Sequence, residues 1–446
     1  MATEATTDAE STRTLRKTVW ASLIGTTIEW YDFYIYGTAA ALVFNKLFFP
    51  KEDPLTGTMI AFGTYALGFI ARPIGGAIFG HFGDRIGRKT LLLASLILMG
   101  SATFLIGLLP TYAQIGVWAP IMLIGLRMLQ GFGVGGEWGG AVLLIAEHAP
   151  AKSRGFWTSW AQVGVPAGNL LAAGIVALLT AIQTPDDFLA WGWRVPFLAS
   201  GTLIALGLWL RVTLSESPMF KEVQQRQAAE KKGSPVLQAL AHRPGGLVIG
   251  AGLRLGENIS FYVITTFSLT YLVELQGGAR GIALTGLLIG AAAECLTLPL
   301  FAALSDRIGR RAVYAIGAFG MAVWAFGLFM LLNQGTALAV TIAMIVGLVL
   351  HGAMYGPQAA FMSELFPTRM RYSGVSVAYQ ATSIVAGSLA PIVALALWQY
   401  AHSFTPIAIY VATACVVSGV AALIARETRG IALDAIDVAS RTPKSA

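Results

Sequence analysis

Polar and apolar positions along this chain separate on a coarse scale. Long apolar runs alternate with short stretches in which nearly all the Lys and Arg are gathered. A helix needs roughly 20 predominantly apolar residues to cross a bilayer. Twelve such windows are found, at about 19–43, 56–80, 90–110, 117–146, 155–181, 192–213, 245–274, 282–304, 312–332, 337–362, 373–400 and 404–425. Each predicts an α-helix, because a spanning segment has to satisfy its backbone hydrogen bonds within itself. Charges interrupt some of these windows. The first contains "TTIEWYDFYIYG" (Thr26–Gly37), with Glu29 and Asp32 near its middle. The fourth holds Arg127 and Glu137, the seventh Arg254 and Glu257, and the eighth Glu294. A charge at the bilayer centre costs at least about 2.5–3.5 kcal/mol on insertion scales, so each of these residues needs a reason.

Composition supports the same class. The chain has 446 residues, 56% of them hydrophobic and 12% charged, whereas a soluble chain is typically about 25% charged. Fifty glycines lie largely inside the windows, where small residues allow close helix packing in a membrane. The net charge of +7 is not a nucleic-acid signal, because its distribution alternates. Of the 30 Lys and Arg, 23 fall before the first window, in the loops on that same side, or after the last window; only Lys46, Lys51 and Arg280 fall in the opposite loops. The positive-inside rule therefore puts both termini in the cytoplasm of what reads as a bacterial plasma-membrane protein. The first window is about 25 residues long, carries two acids and lacks a small-x-small cleavage site, so it reads as a retained span rather than a leader. Cys295 and Cys415 lie inside apolar windows, with no disulfide framework and no metal-ligand spacing. No metal and no cofactor are expected.

The polar stretch around Ser215–Pro244, including "KEVQQRQAAEKKGSP", divides the windows six and six. The expected organisation is a tail (1–18), an N-terminal half (19–213), a cytoplasmic linker (214–244), a C-terminal half (245–425) and a second tail (426–446). The halves repeat. "GDRIGRK" (Gly83–Lys89) returns as "SDRIGRR" (Ser305–Arg311), each after the second window of its half. Glu147 and Arg154 return as Glu364 and Arg371 after the fourth, with Pro150 and Pro367 three residues beyond the acids. Two motifs at nearly one offset indicate parallel repeat symmetry.

At these residues the sequence resembles the major facilitator superfamily. "GHFGDRIGRK" (Gly80–Lys89) fits that superfamily's loop motif, G-x-x-x-D-R-x-G-R-[KR]. "IEWYDFYIYG", "ARPIGG", "GGEWGGA" and "WGWRVPF" are similar to its metabolite:proton symporter branch, which includes shikimate, 2-oxoglutarate, citrate and proline/betaine carriers. The implied fold is all-α, twelve transmembrane helices in two pseudo-symmetric six-helix halves. The loop motif has its own physics. Gly83 and Gly87 permit a tight turn, Arg85 adds cytoplasmic charge, and Asp84 is placed to face a helix N-terminus, where partial positive charge favours an anion. The resemblance implies that this helix is span eleven, that Arg88 pairs with Glu147 and Arg310 with Glu364, and that these contacts, with Arg154, Asp306 and Arg371, hold the cytoplasmic side shut in the outward-open state.

Glu29 and Asp32, three residues apart, share a helix face with Phe33 and Tyr36. Burial disfavours the charged form of such an acid, and an acid that gains and loses a proton is what proton coupling requires. The resemblance favours Asp32 as the proton carrier, with Glu29 binding, pairing or sharing the proton. "LRMLQGFGVGG" resembles the superfamily's span-four pattern at Arg127, Gln130 and Gly131. Arg127 does not deprotonate, so it needs a carboxylate partner or an anionic substrate; Asp32 or Glu29 is the expected partner. Glu137, ten residues and about 15 Å along the helix, is not. Gly131–Gly136 matches G-x-G-x-x-G, but inside an apolar helix the pattern marks close packing rather than a dinucleotide site. Arg254 and Glu257 either neutralise each other or contact substrate together with Asn258, Phe261 and Tyr262. Gln162, Asn169, Tyr355, Gln358, Tyr379 and Gln380 are candidates to line a cavity. His351 reads as a packed or cavity-facing histidine rather than a proton relay. Arg72 reads as snorkelling at the inner end of span two, and Arg194 as an outer-face anchor.

The expected function is that of a proton-coupled symporter, working as a monomer in a lipid bilayer and importing a small polar metabolite by alternating access. An organic acid anion suits the intramembrane arginines; a zwitterionic osmolyte such as proline or betaine, or uncoupled facilitation, is the alternative. Enzymatic chemistry is disfavoured because no metal cluster, nucleophile elbow or phosphate loop accompanies the acids.

Overall fold

The computed structural model describes residues 2–213, apart from 51, 53, 87 and 136, and residues 244–433; side chains are described outside 1–12, 41, 53–55, 76–93, 136–137, 210–213, 368–370 and 372. The expected linker therefore lies outside the described residues.

Twelve helical spans follow in chain order, and no strand occurs among the described residues. In the N-terminal half, span one is Ala2–Ala39, extended by a π-turn at Ala40–Phe44; span two is Pro54–Ile86; span three is Arg88–Leu108; span four is Trp118–Val134 plus Glu137–His148; span five is Arg154–Ile182; and span six is Arg194–Thr213. In the C-terminal half, span seven is Pro244–Tyr262, running on through π-turns at Val263–Phe267 and Tyr271–Leu275. Span eight is Arg280–Ile308, span nine Arg310–Leu332 and span ten Ala337–Ser363. Span eleven is Thr368–Ser383, Ile384–Ser388 (π) and Ala390–Ala401; span twelve is Thr405–Ile424.

Two boundaries differ from the hydrophobic windows in ways that matter. Span two begins at Pro54 and ends at Ile86, so Arg72 lies near its middle. Span four is not continuous: its two helices meet at a turn at Gly135. The glycine run before that turn serves packing. A Cβ on Gly131 would collide with the Gly68 carbonyl of span two, and one on Gly133 would press on the Ser95 carbonyl of span three at 3.1 Å.

Within each half the spans pack as bundles, one on five and two on four in the first, eight on ten and nine on twelve in the second. The seam between the halves is carried chiefly by span five lying along spans eight and ten and by span two against span eleven. Gly387, in the π-turn of span eleven, allows this second contact. A Cβ there would sit 2.5 Å from Asn258 Oδ1 and 3.1 Å from the Phe69 ring of span two. The halves also touch at the end of the bundle away from the loop motifs, where Lys46 Nζ lies 3.7 Å from Glu274.

Candidate functional site

The N-terminal side of the seam is built around two arginines. Arg127 is fully buried. Its Nη1 donates to Gln130 Oε1 at 2.5 Å, and Gln130 Nε2 in turn donates to Thr103 Oγ1 (2.7 Å) and to the main-chain oxygen of Asp32 (3.3 Å). The guanidinium sits over three rings, 4.2 Å from the centroids of Phe33 and Tyr36 and 4.6 Å from Tyr65. Tyr36 is held by a 2.7 Å bond to Thr64. Arg72 is also buried, over Phe33 (4.4 Å) and Phe69 (4.6 Å). It does not snorkel, because the helix runs on to Ile86 and leaves it mid-span. The two guanidinia share the Phe33 ring and repel each other. Neither is paired with a described acid, and Arg127 Nε and Nη2 and Arg72 Nε have no hydrogen-bond partner.

The expected ion pair between Arg127 and the span-one acids is therefore not formed. Arg127 projects onto the face carrying Phe33 and Tyr36, while Asp32, one residue earlier on the helix, is linked to it only through Gln130. Neither oxygen of the buried Asp32 carboxyl has a hydrogen-bond partner. Glu29 is buried as well. The side chain of Glu137 lies outside the described residues.

The C-terminal side is arranged differently. Arg254 Nη1 binds Glu257, and its guanidinium lies 3.8 Å over the Tyr379 ring. Gln358 Nε2 donates to Glu257 Oε2 (3.2 Å) and to the Leu253 carbonyl (3.1 Å). His351 is packed, one of the two placements the sequence allowed. It is buried with Nε2 2.8 Å from Glu257 Oε1 and Nδ1 in contact with Glu294 Oε1, joining spans seven, eight and ten.

Between these two groups the seam is aromatic and carries unspent polar atoms. Tyr34 meets Phe261 (5.9 Å), and Tyr65 and Phe69 meet Tyr262 (6.0 and 5.6 Å). Trp138 stacks on Tyr379 at 3.7 Å and donates to Gln162 Oε1 (2.9 Å), whose Nε2 reaches the Tyr355 carbonyl (3.4 Å). Gln380 donates to the Gly135 carbonyl. The hydroxyls of Tyr34, Tyr65, Tyr262, Tyr355 and Tyr379, Asn169 Nδ2 and Asn258 Oδ1 are buried without a partner. Buried polar groups are almost always satisfied by protein or water, so such a concentration marks a place for a polar guest. Composition and spacing gave no hint of Tyr34, Tyr65 or Trp138; only the packing of span one and span two against span seven, and of span four against span eleven, brings them to the seam.

At the end of the bundle that bears the loop motifs, the second-half motif crosses the seam. Asp306 accepts from the N–H groups of Gly155 (2.9 Å) and Phe156 (2.8 Å), the first turn of span five. Arg310 Nη1 lies 2.6 Å from Asp306, and its Nε 3.4 Å from Glu364. Arg154, from the other half, reaches Glu364 at 2.8 Å. Gly309 holds the turn with φ +113°, a conformation natural to glycine. Residues after span twelve join in. Thr428 Oγ1 donates to Glu364 (2.5 Å), Arg154 to the Ile431 carbonyl and Arg371 to that of Leu433. Glu427 accepts from the backbone N–H groups of Arg310, Arg311, Thr428 and Arg429. Burial pushes its carboxyl up, but these four donors outweigh it and hold it below the usual range. Glu147 is exposed. Of the first-half motif, Gly87 and the side chains of Asp84, Arg85 and Arg88, with Gly83, lie outside what is described. Arg194 binds the Leu109 carbonyl at 2.8 Å.

Comparison with known proteins agrees with this architecture. A model described as Major Facilitator Superfamily matches residues 22–391 and 293–431. The chain is 44% identical over 417 residues to the Shikimate transporter of Escherichia coli (strain K12), covering 93% of this chain and 95% of that one. It is 34% identical over 424 residues to the Glycine betaine/proline/ectoine/pipecolic acid transporter OusA of Dickeya dadantii (strain 3937), covering 93% and 84%. In fold it is similar to the proton:xylose symporter XylE bound to 6-bromo-6-deoxy-D-glucose, with a TM-score of 0.76 at 21% identity, covering 95% and 98% of the two chains.

Proposed function

The chain belongs to the Major Facilitator Superfamily, and from that premise we propose that this multi-pass secondary transporter imports an organic acid anion together with protons. One observation carries the reading: two buried guanidinia, Arg72 and Arg127, share one aromatic ring with no acid between them among the described side chains. A buried charge is stable only when paired, and the cation that is missing its counter-ion asks for an anionic guest. A carboxylate accepts from two guanidinia at once. The unpartnered tyrosine and asparagine groups of the seam then bind the rest of a hydroxylated or otherwise polar acid.

Asp32 supplies the coupling. When ionised it is a second buried anion on the helix that bears Phe33, competing with the substrate for the same positive field. A proton on Asp32, shared with Glu29, removes that competition and favours the loaded state. Gln130 fixes Arg127, and Tyr36 and Phe33 floor the site. The charge cluster of Asp306, Arg310, Glu364 and Arg154 closes the cytoplasmic side, with Asp84 and Arg88 as its first-half counterparts, and releases when the halves rock. Both termini face the cytoplasm.

The test is uptake into proteoliposomes under an imposed inward proton gradient. Shikimate, by analogy with one relative, and glycine betaine, by analogy with another, are compared. Accumulation of the acid that collapses in Asp32→Asn while gradient-free exchange persists is the expected outcome. Equal uptake with and without the gradient, or a preference for betaine, overturns the reading.

A further inference from the structure

His351 poses a counting problem. Both of its ring nitrogens point at carboxylate oxygens, Nε2 at Glu257 and Nδ1 at Glu294. A neutral imidazole carries one N–H and one lone pair. With both carboxylates ionised, one of the two contacts would set lone pair against lone pair. Two hydrogen bonds require one proton more, on the ring or on a carboxyl. The charges agree: with that proton, Arg254, Glu257, His351 and Glu294 sum to zero; without it, a net negative charge stays buried in the membrane, at the cost noted for intramembrane charge. Glu257 is tied down by Arg254, Gln358 and His351. Glu294 has only His351, and its Oε2 is buried with no partner. The mobile proton therefore belongs to the His351–Glu294 contact.

We propose that Glu257, His351 and Glu294 form a proton-binding site in the C-terminal half, separate from Asp32, that loads and empties during transport. Its seal is built from contacts between the halves. Phe261 lies tilted against His351 at 4.8 Å and also meets Tyr34 of span one at 5.9 Å. Tyr355 stacks on His351 at 5.2 Å, and its carbonyl accepts from Gln162 of span five. Rocking the halves apart disturbs both covers and admits water to the histidine. Besides Arg254, the titratable groups facing the cluster are Tyr34, Cys295, Tyr314, Tyr355, Tyr379 and Cys415, one each from spans one, eight, nine, ten, eleven and twelve. Ordinary tyrosines and cysteines titrate near about 10 and 8.5, so around neutral pH the exchangeable proton is that of the cluster.

This inference rests on the transporter reading but not on Asp32 being the coupling acid, and the test keeps the two apart. The full chain, labelled with 15N-histidine and placed in lipid nanodiscs without substrate, is examined at neutral pH in an Asp32→Asn background by ring 15N resonances and by the carboxylic-acid infrared band. The expected result is either an imidazolium signal that disappears in His351→Asn or a protonated carboxyl band that disappears in Glu294→Gln. A neutral His351 with neither signal overturns the proposal. In proteoliposomes with Asp32 intact, each coupled proton multiplies accumulation by about tenfold per pH unit of gradient. Glu294→Gln is expected to lower the limiting accumulation of the transported acid by that factor. An unchanged slope of accumulation against the gradient would show a proton that is bound but never moved, and would equally overturn it.

Discussion

The two halves treat a buried arginine in opposite ways. In the C-terminal half Arg254 is neutralised on the spot by Glu257, with Gln358 and His351 completing the acid's partners. In the N-terminal half Arg127 and Arg72 are cushioned by aromatic faces and paired with no described acid. Aromatic faces recover part of the desolvation cost of a cation, not the whole of it. The first arrangement is complete within the protein; the second, on the function proposed above, is completed by the substrate. The same substitution should therefore read out differently in the two halves.

The largest effect is expected from Arg254→Leu. It strands Glu257 as a buried acid, which costs about 3–5 kcal/mol when one partner of a buried pair is removed. The thermal midpoint of the purified protein should fall sharply, and Glu257→Leu added on top should restore most of it. Next, Arg127→Leu should leave the thermal midpoint unchanged or higher, because no described acid loses its partner. Its half-saturation for the transported acid should rise roughly 10- to 100-fold, in line with hydrogen bonds to charged groups worth about 1.5–3 kcal/mol. A fall in stability like that of Arg254→Leu would erase the comparison. Third, Asp306→Asn weakens an anion on a helix N-terminus, an interaction worth up to about 2 kcal/mol when partly buried. Single cysteines introduced into the spans at the loop-motif end should then be labelled several-fold faster. The smallest effect is at Glu427, whose folded-state carboxyl sits below the usual range. Its hold on the Arg310 and Arg311 amides is complete above about pH 4.3 and lost only as pH falls through that lower value. Exchange at those two amides should show no protonation-linked opening between pH 5 and 8, and Glu427→Gln should speed it by a few-fold.

The architecture was legible in the sequence because a membrane leaves few choices: apolar length gives the spans and charge distribution suggests their direction. The site was legible only where a rule concerns a single helix. Glu29, Asp32, Arg127 and Arg254 stood out because charge inside an apolar window is conspicuous by itself. Glu257, Glu294 and His351 lie on three helices at no regular spacing, so nothing in the chain's order announces that one histidine joins both acids. Arg72 was misplaced because a hydrophobic window ends where polarity begins, whereas the span-two helix continues to Ile86. The pairing of Arg127 followed from which side of span one it faces, and one residue of rotation, from Asp32 to Phe33, exchanges an acid for a ring.

The contact of Asp306 with the start of span five has a further consequence. One side of that junction is an ordinary side chain, open to replacement or protonation. The other side is the exposed end of a peptide ladder, whose polarity comes with being helical and belongs to no side chain. Gly155 leaves no room for a Cβ between itself and Arg310, the Ala302 carbonyl and Asp306. The Asp306 junction can therefore be tuned by side-chain replacement from the C-terminal half alone, whereas the N-terminal half can abandon this one contact only by unwinding.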